Sequence, residues 1–436
     1  MGIELVTAII FLVLILILMT GMPLAFAFGA SMVVLTFWQM GPNALYLIVT
    51  TAYSDWSSYL LLAIPLFVLM AKFLQHSGLA EKMYSTMYKW MGGLPGGLAM
   101  GTIFVCAIFA AMSGVSGAAT VAMGLIALPS MLKRGYDKKL AAGTIAAGGS
   151  LGILIPPSII MVVYASLTNV SVGKMFMAGV VPGIILTAIY MFQVGFLCWL
   201  KPSYGPPIPV EERVSFKEKV ASLKGVVMPL GLIVVVLGVI YTGVCTPTEA
   251  AGIGAFVAFI ITILHGKLTW KVFYNSLSET LTLSVMIMWI VLGAKCFVHI
   301  YSATGASDFV GEFIGSLPLN KWFIVIIMQF IILFLGMFID PIGIMMITVP
   351  VFVPLIESFG MDAIWFGVLL TINLEMAYIT PPFGLNLFYL KSILPPEVTM
   401  QDLYRSIVPF VLRDMAAMAL IMIFPWLVMW LPNQMK

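Results

Sequence analysis

The chain has 436 residues, 62% of them hydrophobic and only 9% charged, with a mean hydropathy of +1.11; a water-soluble domain carries roughly 25% charged residues, so this composition excludes one. A net charge of +3 supplies no basic patch, so no nucleic-acid partner is expected. The four cysteines (Cys106, Cys198, Cys245, Cys296) and three histidines lack metal-ligand spacing, and no Ser-His-Asp order, phosphate loop or HExxH motif is present, which leaves catalysis without machinery.

Apolar runs recur from Leu5 to Trp430, each long enough to cross a hydrocarbon core about 30 Å thick, and they predict an all-α protein embedded in a lipid bilayer. Residues 1–64 read as N-terminal scaffold helices. The runs 5–20 and 23–39 are divided by Gly21-Met22-Pro23. No Lys or Arg precedes the first run, so it reads as a retained span and not as a secretory signal. A helix hairpin with both termini outside and one long helix with the N-terminus inside both fit.

Residues 65–200 form a first unit. Its turn at 112–117, MSGVSG, separates apolar runs 98–111 and 118–132, each too short to cross alone with an aqueous loop between them. Together they predict a re-entrant hairpin whose tip sits at membrane depth. Farther on, residues 147–158, AGGSLGILIPPS, end in a double proline. Two backbone donors are lost there and the rings clash with the preceding turn, so the helix must break. Residues 201–224 are a polar, proline-bearing linker, read as an extended cytoplasmic tether. Connecting scaffold helices follow at 225–287, with spans near 225–243 and 248–264. Residues 288–431 form a second unit with a hairpin tip at 336–343, between runs 322–335 and 344–356, and a broken helix at 371–384. Asp340 precedes Pro341 as an N-cap precedes the first helical residue.

The two units are copies. Shifted by 225 residues, Pro129 falls on Pro354, Gly135 on Gly360, Asp137 on Asp362 and Pro156-Pro157 on Pro381-Pro382. With small gaps, Lys72 pairs with Lys295, Leu94-Pro95 with Leu317-Pro318 and Val181-Pro182 with Val408-Pro409. Lys133, Arg134, Lys138 and Lys139 surround the first matched aspartate, whereas Glu357 and Asp362 stand at its counterpart. Cytoplasmic loops collect Lys and Arg, so equivalent loops are expected on opposite sides, as in an inverted-topology repeat. The same rule assigns segments 76–95, 131–139, 201–224, 265–272 and 391–405 to the cytoplasm.

Breaks inside a bilayer leave carbonyls and amides without partners, which is tolerated only where they line a cavity or bind something. Freed carbonyls and hydroxyls are oxygen ligands for a hard cation such as sodium, and half-helix N-termini favour an anionic group. Ser113, Ser116, Thr120, Ser150 and Ser158 supply hydroxyls in the first copy. Asp340, Asn373, Glu375 and Thr380 supply polar groups in the second, and ionisable residues within membrane segments point to function. Plainer readings compete: Gly101, Gly124 and Gly143 suit close helix packing, Glu375 can simply bond a neighbouring helix, and the 32 methionines suit flexible core filler.

SGVSGAATVA and GGSLGILIPPS in the first copy, TPTEAA at 246–251 and TPPFGLNLF at 380–388 resemble the large membrane subunit of tripartite ATP-independent periplasmic (TRAP) transporters, over essentially the whole chain. The resemblance implies a multi-pass protein of a bacterial inner membrane that uses a sodium gradient to import a carboxylate or sulfonate. It further implies two partners, a small four-helix membrane subunit on a separate chain and a periplasmic substrate-binding protein, and no cofactor beyond the coupling ion. Hairpins and broken helices would then move as one body against a scaffold, an elevator-type transporter. Carried over by motif, one sodium site would use Ser113, Gly114, Ser116, Gly117 and Thr120 with Gly148, Gly149, Ser150, Gly152 and Pro156. The other would use Asp340, Pro341 and Gly343 with Asn373, Glu375, Thr380 and Pro381. The expected ligand oxygens are those of Ser116, Ser150, Asp340 and Thr380, with backbone carbonyls near Gly152 and Met376. No arginine lies inside a clear span of either copy, since Lys72 and Lys295 stand near span ends and Arg405 and Arg413 are read at the start of the last helix. Either helix N-termini and hydroxyls hold the substrate anion, or its contact comes from elsewhere. A self-sufficient sodium–dicarboxylate carrier of similar repeat plan is the alternative, with a channel and a transport-inactive scaffold behind it.

Overall fold

The computed structural model describes residues 2–316, 318–396 and 398–435; Leu317, in one of the matched pairs, lies outside the described residues. Those residues form helices and no strand. α1 (Ile3–Met19) and α2 (Leu24–Met40) are two helices and not one, because Gly21 takes φ +76° between them and Pro23 has no amide to continue the ladder. α3 (Tyr46–Trp56) leaves Tyr46, Tyr53 and Trp56 exposed, the arrangement of an aromatic belt at a membrane surface. α4 (Ala63–His76) and α5 (Leu79–Met91) meet at 61°.

α6 (Gly97–Ser113) and α7 (Ser116–Lys133) are joined by two residues only. Asp137 caps α8 (Lys138–Ser150), its carboxylate accepting from the Lys139 and Leu140 amides. A 3-10 turn over 151–153 and a cis bond between Pro156 and Pro157 follow. The chain resumes as α9 (Ile159–Thr168) and α10 (Val172–Leu200).

The linker departs from an extended tether. The Gly96 amide donates to the Gly205 carbonyl, Asp137 to Tyr204 and Ile208 to Gly92, while Arg134 and Tyr88 donate to Glu212. Prolines keep this stretch out of a long helix, and its unpaired backbone groups are satisfied on the loops of the first copy. A capping box of Ser215 and Glu218 then starts α11 (Phe216–Ser222). Lys138 also pairs with Asp402 at 2.8 Å. Four of the five segments assigned to the cytoplasm are therefore tied together.

α12 (Lys224–Tyr241) leads to α13 (Pro247–Leu264), where the TPTE motif acts as a capping box: Thr246 and Glu249 bond reciprocally around Pro247. α14 (Trp270–Ala303) and α15 (Ala306–Gly315) follow. The remaining helices are α16 (Lys321–Gly336), α17 (Pro341–Ser358), α18 (Ala363–Ile379), α19 (Leu385–Lys391), α20 (Met400–Ile423) and α21 (Trp426–Met429). Asp362 caps α18 as Asp137 caps α8. Arg413 stands in the interior of α20 and not at its start, because the Thr399–Asp402 capping box begins that helix earlier. Among the described residues seven helices are long and apolar enough to cross a membrane, eight if α4 and α5 count as one bent span.

Two packed groups result. One joins α2, α4, α12, α13 and α14; the other joins α6 to α10 with α16 to α20. Lys72 pairs with Glu279 at 2.7 Å and Lys295 with Asp55 at 2.8 Å, so both matched lysines are engaged with carboxylates on α14 and α3 respectively.

Candidate ion and substrate site at the helix breaks

α6 stops because Gly114 adopts φ +60°, which an L side chain rarely takes, and a Cβ there would fall 2.7 Å from the Pro157 carbonyl oxygen. The hairpin tip is thereby seated on the break after α8. Ser113 Oγ donates to the Val115 carbonyl at 3.3 Å. Ser116, the first residue of α7, is fully buried and donates to Asn386 Oδ1 at 2.8 Å. Thr120 Oγ1 donates to the Ser116 carbonyl at 3.2 Å, and a side chain on Gly149 would collide with that hydroxyl. Gly152 also packs on the Ser116 amide, less tightly: a Cβ would sit 3.1 Å from it. Gly117 lies under the Tyr389 ring and Gly148 against Cys106. Ser158 caps α9 and donates to the Ile153 carbonyl across the prolines.

In the second copy Asp340 is the N-cap of α17, as its place before Pro341 predicts. Its Oδ2 accepts from the Ile342 and Gly343 amides at 3.1 and 3.4 Å. Its Oδ1 is buried and has no partner in the protein. Gly343 packs on Leu24 of α2. α18 ends at Ile379, where Thr380 Oγ1 donates to the Met376 carbonyl at 2.7 Å. The Pro381-Pro382 bond is cis, like its counterpart, and α19 begins after Gly384.

The units at 65–200 and 288–431 bond to each other. Asn386 of α19 accepts from Ser116 and donates to the Ala146 carbonyl of α8 at 3.1 Å. Ser150 of α8 donates to Glu375 Oε1 of α18 at 3.2 Å. Of the residues named from sequence, Ser116, Thr120, Gly149, Ser150 and Gly152 are brought together, and Glu375 joins this group, not Asp340. Asn373 is turned toward α16, where it donates to Gln329. Three residues that matter here were not named from sequence: Asn386, and the fully buried pair in which Tyr190 of α10 donates to Asp414 of α20. Asn386 stands among apolar neighbours, the signal by which Glu375 is found, whereas Asp414 lies in a helix that also carries Asp402, Arg405 and Arg413.

A cavity of about 390 Å³ separates the two hairpin tips. Gly114 and Val115 stand on one side of it and Asp340 and Ile342 on the other, with Tyr378 and Tyr389 between. Its far wall belongs to the other packed group, with Leu24 of α2 and Leu283, Ile287 and Ile290 of α14. The α7, α9 and α17 N-termini reach it through Val115, Ile159 and Ile342, and among the described residues no Lys or Arg lines it.

Residues 11–427 match the family described as the DctM component of the tripartite ATP-independent periplasmic transporter. The chain is 34% identical to the C4-dicarboxylate TRAP transporter large permease protein DctM of Pseudomonas aeruginosa over 402 residues, 92% of each chain. It is also 34% identical to the protein of the same name from Rhodobacter capsulatus over 442 aligned positions, 98% of each chain. In fold it is similar to the YdaH transporter of Alcanivorax borkumensis, with a TM-score of 0.65 and 14% identity, covering 95% of this chain and 99% of that one; this likeness concerns the fold alone.

Proposed function

Since the chain belongs to the DctM family of tripartite ATP-independent periplasmic transporters, as a large permease of the bacterial inner membrane, we propose that it imports a small organic anion by coupling it to sodium. The anion is a carboxylate or sulfonate; the relatives above are named for one such class, the C4-dicarboxylates. A periplasmic binding protein delivers it, and a small four-helix subunit accompanies the permease. The observation that carries this reading is the cavity between the two hairpin tips. It combines backbone freed by helix breaks, an orphaned carboxylate oxygen and three helix N-termini, which together suit a cation and an anion side by side.

One sodium ion takes oxygens from the Ser116 hydroxyl and from carbonyls near Gly152, with Ser150 adjacent. A hydroxyl that gives its proton to Asn386 keeps lone pairs for a cation. The other ion takes Asp340 Oδ1, Thr380 Oγ1 and a carbonyl near Met376; Thr380 and that carbonyl already lie within 2.7 Å of each other. The helix N-termini receive the substrate anion in place of an arginine.

The proposal includes an inverted repeat, with units at 65–200 and 288–431. The Ser150–Glu375 hydrogen bond supports it: these residues are 225 apart, the repeat offset. Two related positions that touch each other lie beside the axis that relates them. Hairpins and broken helices then move as one body along α2 and α14, whose cavity-facing residues are apolar. Uptake into vesicles holding the permease and its small subunit tests the function. Accumulation is expected only with an inward sodium gradient and the binding protein present. Uptake without the binding protein would favour the self-sufficient carrier, and flux insensitive to sodium would overturn the reading.

A further inference from the structure

A second cavity, of about 320 Å³, lies between α16, α18 and α20, away from the hairpin tips. Most of its wall is apolar, with Met376, Met415, Met418 and Met422 prominent. Two polar residues, Gln329 and Asn373, also line it. Asn373 Nδ2 donates to the Gln329 backbone carbonyl at 2.7 Å and to Gln329 Oε1 at 2.9 Å. A backbone carbonyl only accepts, so that edge of Asn373 is its amine, and the Gln329 oxygen must face it. The orientation of both amides is fixed by this logic. Left over are a donor, Gln329 Nε2, and an acceptor, Asn373 Oδ1. Both are buried without a partner in the protein, on residues 3% and 0% exposed. A buried donor and acceptor left unmade in a membrane interior call for an occupant.

We propose that this cavity is a binding site for an uncharged amphiphile taken from the bilayer, an apolar body carrying one hydroxyl group. A hydroxyl accepts from Gln329 Nε2 and donates to Asn373 Oδ1 at the same time. An ester or ketone would satisfy only the donor, and no charged side chain lines the cavity to hold an ion. One water molecule could bridge the pair but occupies about 30 Å³, leaving most of the apolar volume empty. Unbranched, polarisable methionines adapt to a chain of varied shape. Ile326, Phe330 and Ile423 at the mouth are exposed, so entry is lateral, from the lipid.

The test uses the full chain in lipid nanodiscs and octanol bearing a photoreactive diazirine on its chain. Saturable labelling is expected on peptides of α16 and α20, displaced about tenfold better by 1-octanol than by octane. Replacing both amides at once, Gln329→Leu with Asn373→Leu, strands neither partner and should abolish that preference while labelling persists. Ile326→Trp, at an exposed position that tolerates substitution, should block the mouth and remove saturable labelling even if the double variant does not fold. Labelling that does not saturate, or that persists in Ile326→Trp, overturns the site. Equal competition by alcohol and alkane, or a preference surviving in the double variant, overturns the hydroxyl assignment.

Discussion

The two hairpins share a plan and differ in surroundings. Every residue of α6 except Met100 and Phe104 is buried, and eight of its 17 residues are Ala, Gly, Ser or Thr. In α16 only Ile324, Val325, Met328, Gln329, Ile332 and Gly336 are buried, while Phe323, Phe330 and Phe334 are exposed. Within a membrane, small residues mark close helix packing, and large apolar ones are equally content against lipid. The first arm of the first hairpin is therefore enclosed by protein, and the first arm of the second has a flank on the bilayer. The helix start at the tip is set by tight packing in the first unit and by a capping carboxylate in the second.

The largest effect should come from crowding the enclosed side. Gly149→Val drives a branched side chain into Thr120 and should cost about 2 kcal/mol or more, whereas Phe330→Ala on the lipid flank should cost less than about 1 kcal/mol. Thermal midpoints in one detergent compare them, and equal shifts would remove the contrast. Next come the proposed ion ligands. Ser116→Ala at the packed tip and Thr380→Ala at the second break should each raise the sodium concentration needed for half-maximal uptake about tenfold. Unchanged sodium dependence at normal expression would leave both hydroxyls as packing groups. A shift in one alone would locate coupling in one copy. Smaller still is the contact between the copies: a double-mutant cycle on Ser150→Ala and Glu375→Gln should give a coupling of about 1 kcal/mol, and strict additivity would mean the bond does not join them.

The smallest effect concerns the linker. The Arg134 guanidinium beside Glu212 holds its carboxyl below the ordinary range, with the Tyr88 hydroxyl adding to this. A depressed carboxylate contributes its fastening above its unfolded value, and the contribution is lost as pH falls through the folded one. Glu212 is solvent-exposed, so the effect is modest. Amide exchange in the linker should quicken on acidification in the unaltered chain and show no such step in Glu212→Gln. The same step in both would assign it to another group.

Local chemistry was legible from sequence and distant chemistry was not. The double prolines locate both breaks, Asp340 before Pro341 announces a helix start, and Thr246 with Glu249 frames α13, because each signal is complete within a few residues. Asn386 escaped notice because its partners Ser116 and Ala146 lie 270 and 240 residues away, and a lone Asn in an apolar helix does not say whom it meets. Asp414 was passed over beside Arg413, which was read as marking the start of a helix that in fact begins at Met400. Prolines suggested an extended linker, since composition records which helices cannot form and not which loop groups will pair with the freed backbone.

The central claim is that the two breaks are copies entering the membrane from opposite sides. Cysteine labelling with a membrane-impermeant maleimide tests it most directly, in a Cys245→Ser background because the other native cysteines are buried. Lys139→Cys, at the start of α8, should react only from the cytoplasmic face, and Glu357→Cys, at the end of α17, only from the periplasmic face. Reaction of both from the same face would contradict the inverted repeat and the alternating mechanism built on it.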